Sequence, residues 1–294
     1  MNDDRPSPTQ RVSSIPFPER YELPARPEGA STAVQDSYRQ TTFLLRDDLR
    51  LFEEGMNLQL RIVADASPSA FRKHPYAALI GLWSRTFLAL SDTCLLASRG
   101  SYGSCPPLVR LACELVAAQH QLHAGEMEQF IDWLAANFTP NEEHKAFEFG
   151  LGRYFAGETL AADDKLRRVY RPASELGRPS FGPTVLLIGP ESNNQRLALT
   201  FADPSFHIGW AEIVFGWLLA LCERQLAVAV HAKGTFPIHD DVHRAYVDLS
   251  RRIEAALARP DRCVIDEIED AGTRRYLVSN FRRASSGAPK KYLL

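Results

Sequence analysis

Residues 203–231 read DPSFHIGWAEIVFGWLLALCERQLAVAVH, and this stretch decides the fold. Asp203-Pro204 opens the most apolar helix of the chain, which the pattern ends near His231. Its greasiest part, 206–222, contains His207 and Glu212 and falls short of the ~20 nearly uncharged apolar residues that a bilayer span requires. A second apolar run, 75–98, carries Arg85 and Asp92. Both therefore read as helices buried at the centre of a helical protein, and no membrane partner is expected.

Working outward, the apolar periodicity predicts helices around these two. Thr32 and Gln35 have capping-box spacing, and Val34, Tyr38, Leu45, Leu49, Phe52, Met56 and Leu60 continue one helical stripe. Ser67-Pro68 is a restart signal, with a cap followed by a first-turn proline. The long apolar helix then reaches Ser98 and stops at Gly100 and Gly103. Ser104 caps a helix running to about His123, Gly125 breaks it, and 126–138 resume it. Thr139-Pro140-Asn141-Glu142 predicts another helix start, and 162–176 a further helix. The period changes in 183–202, where branched residues flank a polar Pro190–Gln195 connection, which predicts a β-hairpin. Residues 238–258 and 262–283 read as two amphipathic helices. The expected architecture is mainly α, a multi-helix bundle with one short β-hairpin at about 183–202.

Six prolines within residues 1–30 predict an extended or disordered arm, and 31–271 form the helical-bundle domain. The chain has 294 residues, of which 45% are hydrophobic and 24% charged. That is enough to bury a sizeable core. The formal charge of −2 hides an asymmetry. No acid follows Asp270, whereas Arg274, Arg275, Arg282, Arg283, Lys290 and Lys291 do, so 272–294 read as a basic tail on a body of −8. Aromatic residues Tyr276, Phe281 and Tyr292 interleave these pairs. That composition suits RNA, a protein partner, or docking on the chain's own acids Asp266, Glu267, Glu269 and Asp270, and the last two are favoured over RNA. Five cysteines without a C-x-x-C spacing predict neither disulfides nor a zinc ribbon. With no basic-then-apolar leader pattern at the start, a cytoplasmic setting is expected.

Two patches carry a resemblance. Arg110-Leu-Ala-Cys-Glu114 is similar to an Arg-x-x-x-Glu signature, and Tyr170-Arg-Pro-Ala-Ser174-Glu-Leu-Gly-Arg178-Pro-Ser180 to a Tyr-x-x-x-Ser-x-x-x-His-x-Ser pattern. Over about residues 75–230 the chain resembles a bacterial family of helical proteins of unknown function, loosely related to the HEPN and abortive-infection groups. Arg178 holds the family's histidine position. The resemblance implies an all-helical fold, and HEPN-type ribonucleases pair an arginine with a histidine a few residues later. Arg224 and His231 have that spacing. In such a pair the cation holds a phosphate while the imidazole moves the proton of a ribose hydroxyl.

Other constellations are weaker. Arg110, Glu114, Tyr170 and Ser174 are candidate binding residues for a small ligand between core helices, although an ion pair that orients helices explains them as well. His239-Asp240-Asp241-Val242-His243 imitates a metalloprotease helix with two histidines one turn apart, but no third ligand is marked. His120, His123 and Glu126 read as a solvated helix face. No phosphate loop, dinucleotide fingerprint or nucleophile elbow occurs, so no cofactor is expected. The leading expectation is a non-catalytic helical interaction protein that self-associates into a homo-oligomer. The alternatives are a HEPN-like ribonuclease using Arg224 and His231, and a small-ligand binder.

Overall fold

The computed structural model describes residues 18–70, 74–137, 139–141, 146–148, 156–179, 195–196, 201–232, 235–281 and 291–294. In chain order the α-helices among them are α1 (Thr32–Leu44), α2 (Arg46–Ala70), α3 (His74–Ser98), α4 (Cys105–Gln121), α5 (Met127–Asn137), α6 (Gly157–Ala162), α7 (Asp164–Leu176), α8 (Ile208–His231) and α9 (Asp240–Leu257). Strands β1 (Thr139–Asn141) and β2 (Ala146–Glu148) form one small antiparallel ladder. Strands β3 (Val264–Asp270), β4 (Thr273–Ser279) and β5 (Lys291–Leu293) form an antiparallel three-stranded sheet in that order. The fold is mainly α, as the apolar periodicity predicts.

Helix α8 is the axis, packed against α2, α3, α4, α7 and α9. Of its apolar window, 78% is buried, against 39% for Leu79–Ser98 of α3. Both helices are long and apolar enough to cross a membrane, but the polar side chains of α8 find partners on neighbouring elements. Gln225 and Gln119 exchange reciprocal hydrogen bonds of 2.8 and 2.9 Å, and the Cys263 N–H donates to Glu212 at 2.9 Å. Buried polar groups satisfied in this way fix which neighbour faces which turn of the helix.

Helix ends follow local chemistry. Ser31, one residue before the expected cap, accepts the Val34 N–H, while Gln35 donates back to the Ala30 carbonyl. The single helix expected from Thr32 is two, because Leu45 leaves helical geometry at φ −110° and turns its side chain into the core. The restart expected at Ser67-Pro68 is absent: α2 runs through Pro68 to Ala70. Gly125, at φ 152°, bends the chain inside a π-helical turn, Leu122–Glu126. Residues 18–30 run without helix or strand and are held against the bundle. Tyr21 is pinned by a hydrogen bond from its N–H to Asn57 Oδ1 at 2.9 Å and packs edge-on against Phe52 and Phe87.

Three sequence expectations are corrected or fall elsewhere. Thr139-Pro140-Asn141 starts a strand rather than a helix, and Pro140 is tolerated because a two-stranded ladder is all edge. Over its described residues, 262–281, the helix expected at 262–283 is the β3–β4 hairpin. Ala271 (φ 50°) and Gly272 (φ 76°) form a two-residue turn with both φ values positive, and that twist suits a hairpin. The hairpin expected at 183–202 lies outside the described residues apart from 195–196 and 201–202.

Candidate functional site

Arg224 and His231 lie seven residues apart on α8, two turns on one face. Both line a cavity of about 410 Å³, together with His120 from the end of α4 and His123 from the π-helical turn. Insertion of a π turn re-aims the side chains that follow it, and such turns recur at functional sites. His120 and His123 are therefore not merely a solvated helix face. They come from 101 or more residues upstream of Arg224, and spacing rules read only within one helix.

Two nitrogens of the residues that line this cavity, Arg224 Nε and His123 Nε2, are buried without a hydrogen-bond partner. The Arg224 terminal nitrogen Nη2 is ion-paired with Asp163 Oδ2. Asp163 has a second duty, because its Oδ1 accepts the Leu166 N–H at 3.0 Å and caps α7. Arg224 is thus tethered from one side and retains an unused donor. The His123 ring packs edge-on against Phe236, and burial, followed by the neighbouring His120, holds its pKa below the ordinary 6.5. It is a neutral imidazole at pH 7. The His231 ring packs edge-on against Tyr246.

The residues of the Arg-x-x-x-Glu and Tyr-x-x-x-Ser patches also meet. Arg110 Nε donates to Glu114 Oε1 at 3.1 Å, Tyr170 Oη donates to the same oxygen at 3.3 Å, and the guanidinium lies over the Tyr170 ring. Ser174 is buried one turn along α7. The Arg110–Glu114–Tyr170 contacts fasten α4 to α7, while the Ser174 hydroxyl is buried without a hydrogen-bond partner. The ligand cavity sought beside it lies across α7 instead: about 400 Å³ between α7, α8, α9 and β3.

His239 and His243 are both exposed at the start of α9, and Asp241 between them is ion-paired with Arg61. Among the described residues no three His, Cys, Asp or Glu side chains are grouped to hold a metal. The cysteines are buried and free. Burial pushes the Cys94, Cys105 and Cys222 thiols up to about 12, which leaves none of the three as a thiolate nucleophile.

Of the basic stretch, Arg274 and Arg275 belong to β4 and pair with Glu267 (3.1 Å) and Asp270 (3.4 Å) of β3. Lys291 is exposed on β5, while Arg282, Arg283 and Lys290 lie outside the described residues. The interleaved aromatics are committed to the fold. Tyr276 and Phe281 are buried, and Phe281 stacks on His207 and meets Trp210 and Tyr292. Over its described residues the basic segment is a sheet, not a tail. The α-helical bundle with these sites has no match among protein-family models, curated proteins or solved structures.

Proposed function

We propose that the protein is a HEPN-like, metal-independent ribonuclease acting at the Arg224–His231 cavity. One observation carries the reading: an arginine and three histidines from α4, the π-helical turn and α8 line one cavity, and one nitrogen each of Arg224 and His123 is buried without a partner. Transesterification of RNA needs a base for the ribose 2′-hydroxyl, an acid for the leaving 5′-oxygen and a cation on the phosphate. His123, kept neutral by burial, serves as the base. His231 supplies the proton to the 5′-oxygen, and Arg224 holds the phosphate oxygens while Asp163 positions it. The 2′-oxygen attacks phosphorus, the P–O5′ bond breaks, and the products are a 2′,3′-cyclic phosphate and a 5′-hydroxyl. Purified protein should cleave RNA in the presence of a chelator, and His231→Ala and Arg224→Ala should each lower the rate at least a hundredfold, an effect on the order of that from losing one acid–base group. Unchanged cleavage in either variant defeats the assignment.

A second reading, a non-catalytic self-associating protein, is favoured by a different observation. Phe43 (79% exposed), Leu44 (50%) and, on α3, Leu88 (57%) present large apolar side chains to solvent. It predicts a homo-oligomer by sedimentation that Leu88→Asp weakens, with no nuclease activity, whereas a monomer would exclude it.

A further inference from the structure

The cavity across α7 has a chemistry of its own, separate from the Arg224–His231 site. Its walls are largely apolar: Val169 from α7, Ile213 and Trp217 from α8, Ile253 and Leu257 from α9. At about 400 Å³ it falls in the range of small-molecule sites.

The charges on its wall do not balance. Glu223 is buried, with its Oε1 accepting from the Tyr246 and Ser250 hydroxyls at 3.2 and 3.1 Å. The Lys165 ammonium stands 3.6 Å from Glu223 and 3.0 Å from Glu254, so one cation serves two carboxylates. The remaining cations do not reach them. Arg262 is committed to Asp48 at 2.7 Å and to the Glu212 carbonyl at 3.0 Å. Arg168 and Asp266 are exposed, of opposite sign, and shared with a smaller neighbouring pocket, so they cancel at the mouth. Glu212, whose carboxylate accepts the Cys263 N–H, adds a further acid to the wall, so carboxylates outnumber the cations left to serve them. An apolar cavity of this kind favours a ligand that is hydrophobic at one end and cationic at the other, because a carboxylate in a low-dielectric wall attracts a second ammonium strongly.

We propose that this cavity binds a small hydrophobic primary amine, its ammonium joining Lys165 between Glu223 and Glu254 and its hydrocarbon part lying against Trp217. The test uses three probes of one shape: phenethylamine, 2-phenylethanol and 3-phenylpropionate. Binding is read from Trp217 emission, with Trp217→Phe identifying the signal, and from isothermal titration calorimetry. Phenethylamine should bind at least fivefold more tightly than the alcohol, and the carboxylate should bind worst. Glu254 is mostly exposed, so Glu254→Gln should fold normally and weaken the amine about threefold to fivefold, leaving the alcohol unchanged. Ala220→Leu, which narrows the cavity, should weaken all three. Absence of binding by the wild-type chain at millimolar amine overturns the proposal. So does a preference for the carboxylate, or amine affinity indifferent to Glu254→Gln. Because the readout is binding, these results are independent of whether the protein cleaves RNA.

Discussion

Asp163 joins the fold to the site through two oxygens, and substituting it separates the two roles. Asn at 163 retains an oxygen to cap α7, since Asn and Asp cap about equally well, but it removes the charge facing Arg224. Both side chains of the pair are largely buried, at 14% and 19% exposure, so solvent replaces little of what is lost. A hydrogen bond to a charged group in such a setting contributes about 1.5–3 kcal/mol. Asp163→Asn should therefore cost about 1.5–3 kcal/mol in urea unfolding followed by far-ultraviolet circular dichroism, roughly 3–12 °C in Tm. Asp163→Ala loses the cap as well and should cost about 1 kcal/mol more. At the site the effects diverge. A guanidinium freed of its counter-charge should bind inorganic phosphate several times more tightly by calorimetry, while turnover of RNA falls because the tether is gone. A cost below 0.5 kcal/mol for Asp163→Asn, or equal costs for the Asn and Ala variants, would refute this reasoning.

Three further outcomes follow from other parts of the structure. Arg262 and Asp48 are almost fully buried, so Arg262→Met, which leaves Asp48 only the more distant Arg259 at 3.8 Å, should lose about 3 kcal/mol, and the double variant Arg262→Met/Asp48→Leu should recover part of it; an Arg262→Met protein as stable as wild type contradicts the pairing. Gly100 has φ +79° and a Cβ there would sit 1.9 Å from the Pro204 carbonyl oxygen, so Gly100→Ala should destabilise by at least about 1–3 kcal/mol in the same assay. His123 is held below 6.5, so under pH 6.5 the unfolded chain binds more protons at this position than the folded one. Stability should fall as pH drops through 6.5 toward the folded value, and His123→Gln should flatten that slope; equal slopes would contradict it.

The helical part of the fold is legible because it rests on short-range physics. The continuous apolar run of α8 and the Gly100 and Gly125 stops are each set by neighbours within a turn or two, whereas Ser104 makes no side-chain cap bond and Ser67 lies inside α2. The β3–β4 hairpin is misread for a definite reason. Val264, Ile265 and Ile268 have helical spacing among acids, and only Asp270-Ala271-Gly272-Thr273 signals a turn whose two central residues take positive φ. The register then sets acids of one strand beside Arg274 and Arg275 of the other, so a stretch that looks like a solvated tail is a charge-zipped sheet. The candidate site is half legible. Arg224 and His231 share a helix face and can be found from spacing, whereas His123 reaches them through a π turn and Asp163 through the packing of α7 on α8. Neither relationship leaves a periodic mark in the sequence.

The most direct test of the central reading is a single-turnover assay in chelator with an oligonucleotide containing one ribonucleotide in a deoxyribose strand. The Arg224–His231 cavity predicts cleavage 3′ of the ribonucleotide, a 2′,3′-cyclic phosphate on the upstream fragment and no cleavage of the all-deoxy strand. Intact RNA-containing strand, cleavage of the all-deoxy control, or a requirement for divalent metal would contradict it.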